Sequence, residues 1–137
     1  MAEPQIHTLF MTSPPDDIDR VHRFLEQVWR DTPSIEMMDR FGFETALVEL
    51  AANIFRHADA GEGLECNVQV EAGEKRIVAL LTDSGVKGNI YLGGGEMPDE
   101  MEENGRGLLL IKALVDELHY ERQGDVNRWR ISKKLLP

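Results

Sequence analysis

One cysteine, Cys66, stands among 137 residues. An intramolecular disulfide is excluded, and so is a metal site built from several thiolates. A single thiol fits a reducing compartment. No apolar run is long enough to span a bilayer, and the start MAEPQIHTLF lacks the basic segment and apolar stretch of a secretion signal. A cytoplasmic protein without membrane contact is expected. Basic charge is also scarce: 15 Lys and Arg face 25 Asp and Glu, for a net charge of −10. Sequence-independent nucleic-acid binding works by neutralising phosphates with Lys and Arg, so this acidic chain is a poor candidate for direct nucleic-acid contact. Internal repeats, low-complexity segments and domain linkers are lacking as well. Residues 1–137 are therefore expected to form one domain around one core. Apolar residues make up 42% of the chain and the charges are spread out, which indicates a globular fold. The acidic excess suits solubility, or a partner with a basic surface.

Hydrophobic spacing gives the order of elements. Residues 5–11 alternate weakly and read as a strand. Ser13-Pro14-Pro15-Asp16 breaks it, with Ser13 or Asp16 as candidate cap for a helix running to about residue 30. A long helix follows over 35–58 and stops near Gly61. Leu64, Cys66, Val68 and Val70 alternate with polar residues in a half-buried strand. After a turn at 72–75, residues 77–82 form a short, continuous apolar strand. Residues 84–106 are rich in Gly, Asn, Pro and acids, and a loop of that length in a compact domain is usually functional or mobile. Residues 107–118 turn apolar on nearly every side and predict a helix packed on more than one face. Strands over 118–122 and 126–136 close the chain. Helices grouped against a largely antiparallel sheet predict an α+β fold, a two-layer sandwich with the helices on one face.

Three motifs carry candidate chemistry. On the long helix, Glu49, Asn53 and His57 recur every four residues and share a face, with Arg56 close by. Leu47, Val48, Leu50, Ala51, Ile54, Phe55 and Ala58 take the other side. The plain alternative is a solvated polar face, but Asn competes for its own backbone and is a middling choice for one. The second motif, Asp83-Ser84-Gly85, follows a buried strand. A carboxylate there can accept from an amino group such as adenine's, and Gly85 lets a flat ligand approach the backbone. Its alternative is an ordinary turn. The third, Gly105-Arg106-Gly107-Leu108, is expected to open the last helix, where exposed amides, the helix dipole and the Arg106 fork suit phosphate. A flexible hinge is its alternative. Trp29 and Trp129 lie far from the motifs in sequence and read as packing residues.

Glu-x-x-x-Asn-x-x-x-His-Ala, then Asp-x-Gly after a strand, then Gly-Arg-Gly-Leu opening a helix, occur in fixed order. This resembles the GHKL ATPase superfamily of gyrase, Hsp90, histidine kinases and MutL, which has the Bergerat fold with a mixed, mostly antiparallel sheet. The chain is too short for the extra domains of those proteins and is most similar to the free-standing anti-sigma factor serine kinases of the RsbW and SpoIIAB type. Gly105 to Ile111 with Val115-Asp116 carries that similarity. The resemblance implies ATP and Mg2+ as cofactors. Asn53 would coordinate Mg2+ and Glu49 would be the general base on the accepting hydroxyl. Asp83 would read adenine with Gly85 beside the base, the amides of Gly105, Arg106, Gly107 and Leu108 would hold the phosphates, and residues 88–104 would form a lid. Arg56 is a phosphate contact by its place on the helix face, and His57 orders the site or touches the lid. Two positions depart from the family. Lys87 stands where many relatives have a second Gly; the next Gly is Gly88, an ATP-binding candidate, and the lid hinge is not assigned to one residue. The Gly-Thr before the last strand is replaced by Gly124-Asp125-Val126-Asn127, so no base contact is assigned to that strand.

The activity implied is transfer of the ATP γ-phosphoryl to a serine of a STAS-type anti-sigma factor antagonist, together with sequestration of a sigma factor. A homodimer is a further expectation from the relatives. The alternatives are an ATP-binding partner-switching module without significant transfer, and a regulator whose partner is not a sigma factor.

Overall fold

The computed structural model describes residues 4–14, 16–57, 63–85 and 102–136, with backbone alone for residues 57 and 102–107. The elements run β1 (Gln5–Ser13), α1 (Ile18–Asp31), α2 (Met37–His57), β2 (Leu64–Ala72), β3 (Arg76–Asp83), α3 (Glu102–Leu114), β4 (Glu117–Gln123) and β5 (Val126–Lys134). The five strands form one sheet in the order β1-β2-β3-β5-β4. Every neighbouring pair is antiparallel.

The period of two in each strand decides which face is covered. Leu9 and Met11 of β1, Leu64 to Ala72 at alternate positions of β2, Ile77, Ala79 and Leu81 of β3, and Trp129 and Ile131 of β5 are all buried. They meet Val21, Leu25 and Val28 of α1, Phe43, Leu47, Leu50 and Ile54 of α2, and Leu108 and Ile111 of α3 in one core. The opposite sheet face is open, with Ile6 and Phe10 among its exposed apolar residues.

Polar contacts fix the helices on this face. Asp17, not Ser13 or Asp16, caps α1 by accepting from the Asp19 amide. Asp16 instead closes the connection from β1, accepting from the Thr12 amide at 3.0 Å. On α1, His22 and Trp29 stand seven residues apart and grip one carboxylate of α2. His22 Nδ1 lies 3.1 Å from Glu44 Oε2, and Trp29 Nε1 donates to Glu44 Oε1 at 2.8 Å. At the start of α2, buried Asp39 accepts from the Leu136 amide and lies 3.8 Å from Lys133 Nζ. Gly42 faces Lys133 and Leu114, whose side chains a Cβ there would meet at 3.6 and 3.9 Å, ordinary van der Waals contact.

Two boundaries differ from the sequence expectation. Helix α3 begins at Glu102 and ends at Leu114, while Leu118 already belongs to β4. The chain leaves the helix because the Asp116 amide bonds Ser132 O, which starts the β4–β5 ladder. Nor is α3 buried all round: Leu108 and Ile111 face the core, whereas Leu109 and Leu110 are 55% and 42% exposed. The helix packs mainly on α2, and one neighbour can cover only one side of it. The expected stop of α2 near Gly61 lies outside the described residues.

Candidate functional site

Topology brings the end of α2 toward the end of β3. Register aligns Met11 with Cys66 and Cys66 with Asp83, so β1 ends at the Asp83 end of the sheet. Helix α1 starts there and runs back until Asp31 bonds His7 near the start of β1. Helix α2 therefore begins at the far end, beside Lys133, whose sheet partner is Ile77. It then returns. At about 1.5 Å per residue, the run from Gly42 to Asn53 covers roughly 16 Å in the direction of Asp83.

Asp83 ends β3 at this end of the sheet. It is 2% exposed, yet donors surround its carboxylate. Oδ1 accepts from the Gly85 amide at 2.9 Å and from Asn127 Nδ2 at 2.8 Å. Oδ2 accepts from Trp129 Nε1 at 2.9 Å. The Gly85 bond makes Asp83-Ser84-Gly85 an Asx-type turn, so the turn reading and the site reading describe the same geometry. Asn127, fully buried, is held in turn. Its Oδ1 accepts from Tyr120 Oη at 2.6 Å and from Arg122 Nη1 at 3.1 Å. Arg122 Nη1 also donates to Gly85 O at 2.7 Å, and its Nε donates to Gly124 O at 2.9 Å. The Tyr120 and Trp129 rings pack with centroids 4.4 Å apart. Cys66, across the strand pair from Asp83, has its thiol pKa pushed up to about 12, by burial first and by the Asp83 charge second.

The sequence reading passed over four of these residues. Trp129 is not only a packing residue, and the last strand does reach Asp83, through Asn127 and Trp129. The available signal was parity: Asn127, Trp129 and Ile131 alternate on β5, so a polar side chain shares the inward face with two apolar ones. Trp29 is likewise both packed, edge-on to Phe43, and hydrogen bonded to Glu44.

On α2 the expected polar face is present. Asn53 is 8% exposed, Arg56 is exposed, and the Glu49 side chain is one-third exposed. Asn53 Oδ1 accepts from Arg56 Nη2 at 2.8 Å, and the same Nη2 lies 3.9 Å from Glu49 Oε1. Asn53 Nδ2 is buried without a hydrogen-bond partner. Turning the amide over would aim its NH2 at the guanidinium, donor against donor, so the orientation is determined by Arg56. A buried, unpaired donor costs about 1–3 kcal/mol and is a mark of a group kept for a ligand.

Do these residues fit Mg2+? A carbonyl oxygen has two lone pairs, so Asn53 Oδ1 retains one beside its bond to Arg56. Among the described residues no group of three or more His, Cys, Asp and Glu could hold a metal. Few protein oxygens suit an ion that keeps its waters and shares ligation with a phosphate ligand, which is the habit of Mg2+. The residues fit.

The remaining motif residues are less defined. Gly105, Arg106, Gly107 and Leu108 lie inside α3, one turn beyond its start, rather than ahead of the helix. Only the first-turn amides of a helix are free, and in α3 those precede Gly105. His57 is helical at the end of α2, and its side chain lies outside the described atoms. Gly88 and residues 88–101 of the expected lid lie outside the described residues, while residues 102–104 form the first turn of α3.

A fully antiparallel sheet covered on one face by helices, with an Asp-x-Gly turn ending one strand and a Glu–Asn face on the long helix, defines a GHKL-type ATPase domain. The chain belongs to the histidine kinase-like ATPase domain family, whose model matches residues 11–133. That membership implies ATP binding. No curated protein sequence matches. Among solved structures, the RsbU and RsbW domains of Rv1364c from Mycobacterium tuberculosis superpose with a TM-score of 0.61 at 19% identity, over 98% of this chain and 33% of that one. The histidine kinase domain of the blue-light activated kinase EL346 from Erythrobacter litoralis gives 0.56 at 14% identity, over 86% of this chain and 60% of that one. At such identities the likeness is one of fold. Among the described residues no helix is long and apolar enough to cross a membrane.

Proposed function

We propose that this ATPase domain is a cytoplasmic protein serine kinase and anti-sigma factor. It would phosphorylate a STAS-type antagonist and sequester a sigma factor. The observation that carries the kinase reading is Glu49: a part-exposed carboxylate one helical turn from Asn53, whose buried amide donor is unpaired. Nucleotide binding has no use for Glu49, whereas phosphoryl transfer to a hydroxyl does.

Asp83 accepts from the adenine amino group, and Gly85 borders the base. Asn53 would hold Mg2+, which when bound neutralises charge on the phosphates. Arg56 is poised to leave Asn53 for a phosphate oxygen, an exchange of one anionic or carbonyl acceptor for a stronger one. The phosphates lie against the first two turns of α3, where Arg106 adds charge. Glu49 takes the serine proton as its oxygen attacks the γ-phosphorus. ADP leaves, and the proton passes to solvent. Positioning and charge neutralisation supply most of the rate in such a reaction.

The test needs the antagonist protein and radiolabelled ATP. Glu49→Gln should lower transfer roughly 10²–10⁴-fold while ATP affinity stays nearly unchanged. Wild-type rates in that variant would remove Glu49 from the mechanism. Tight Mg-ATP binding with no transfer to a confirmed partner would replace the kinase by an ATP-switched binding module.

A further inference from the structure

The network behind Asp83 lies outside the proposed chemistry. A carboxylate oxygen accepts about two hydrogen bonds. Oδ1 has both, from Gly85 and Asn127. Oδ2 has one among the described residues, from Trp129, which leaves one acceptor position on the carboxylate. We infer that Trp129 and Asn127, anchored by Arg122 and Tyr120 of β4, are positioning residues that leave Asp83 a single outward acceptor and so set the preference for a 6-amino purine. This rests on the assignment of Asp83 as the base reader.

The physical case has three parts. Donors on both oxygens prevent rotation of the carboxylate, because any turn about its axis breaks all three bonds. A 6-amino group donates to the remaining position on Oδ2, whereas a 6-oxo group would put a second acceptor against it; unpaired buried polar groups make such discrimination steep. Finally, the backbone beside the base is held by the same network. Arg122 Nη1 donates to the Gly85 carbonyl at 2.7 Å and to the side-chain Oδ1 of Asn127 at 3.1 Å, so one guanidinium ties the turn to its support. Arg122 is on the edge strand, 37 residues from Gly85 in sequence, and only the sheet brings them together. Base selection is thus seated on three strands, β3, β5 and β4.

The test is titration of ATP and GTP into wild type, Trp129→Phe, Arg122→Met and Asp83→Asn, each checked for a cooperative melt. Trp129→Phe keeps an aromatic ring against Tyr120 and removes one donor, and Arg122→Met changes a part-exposed residue of the edge strand. Both should weaken ATP about tenfold, Trp129→Phe by removing one hydrogen bond to the carboxylate and Arg122→Met by releasing Gly85 O and Asn127 Oδ1 from their anchor, and leave GTP within about twofold. The ATP/GTP ratio is the decisive readout, since a merely structural fault would lower both affinities together. An unchanged ratio in both folded variants, with the ratio lost in Asp83→Asn, overturns the positioning role and leaves the base reader standing. Equal wild-type affinity for ATP and GTP overturns both.

Discussion

Replacing Asp83 by Asn would keep the shape of the side chain and exchange one acceptor atom for a donor. The structure dictates which atom. An NH2 in the Oδ1 position would face the Gly85 amide and the Asn127 amide, two donors. An NH2 in the Oδ2 position would face only the Trp129 indole. The new amide should therefore settle with its oxygen toward Gly85 and Asn127 and its NH2 against the indole. One charge-assisted bond is lost, at about 1.5–3 kcal/mol, and a buried donor–donor contact is created. Trp129→Phe removes the opposing N–H. In the Asp83→Asn background it should consequently cost less than in wild type, since the packing loss is common to both and cancels. A coupling of about 1–2 kcal/mol is expected from a urea-unfolding cycle at constant m-value. Nucleotide binding gives the second readout. The single acceptor offered to the base becomes a donor, so ATP should bind on the order of 10–100-fold more weakly in Asp83→Asn. Additive stability losses, with a coupling below about 0.5 kcal/mol, would refute the hydrogen-bond reasoning.

Asn53→Leu should leave the protein without added nucleotide as stable as wild type or more so, because an unpaired buried donor is removed, while the rise in melting temperature on adding Mg-ATP disappears; a large destabilisation would show that Nδ2 has a partner. Asn53→Ala should impair both Mg-ATP binding and phosphoryl transfer, in contrast to Glu49→Gln, and calorimetry beside a transfer assay separates the two. Cys66, with its thiol pKa raised to about 12, should resist iodoacetamide at pH 8 in the folded protein and react on unfolding. The same shift has a definite sign in alkali: the unfolded thiol ionises above about 9 while the folded one stays protonated, so between those values stability should fall by on the order of 1.4 kcal/mol per pH unit more in wild type than in Cys66→Ala. Parallel pH dependence of the two proteins would contradict the burial of that thiol.

What could be read from the sequence was local. Alternation through Leu64 to Val70 marks β2, and the four-residue spacing of Glu49 and Asn53 places them on one helix face, because a period of 2 or 3.6 is set by backbone geometry alone. Asp-x-Gly likewise encodes its own turn. Partners across strands were not legible: Trp129 meets Asp83 over 46 residues, through the register of β5 on β3, and no local pattern states a register. The start of α3 was misplaced for a related reason. Gly105 and Gly107 are poor helix formers and looked like a boundary, yet the helix continues through them from Glu102. The exposure of Leu109 and Leu110 depended on how many neighbours α3 would have, which is a property of the whole fold.

The two tryptophans give the protein its own optical readout. Trp129 is bonded to the carboxylate that would receive the base and packs at a tilt against Tyr120, while Trp29 is bonded to Glu44 between α1 and α2. A Trp29→Phe chain would carry one fluorophore, within a hydrogen bond of the base-reading group. Its emission would then follow nucleotide occupancy in stopped flow, with no label attached. The complementary Trp129→Phe chain would report on the seam between α1 and α2 and stay silent as the base enters. Comparing the two traces would time events at the base against any shift between the helices within one mixing experiment.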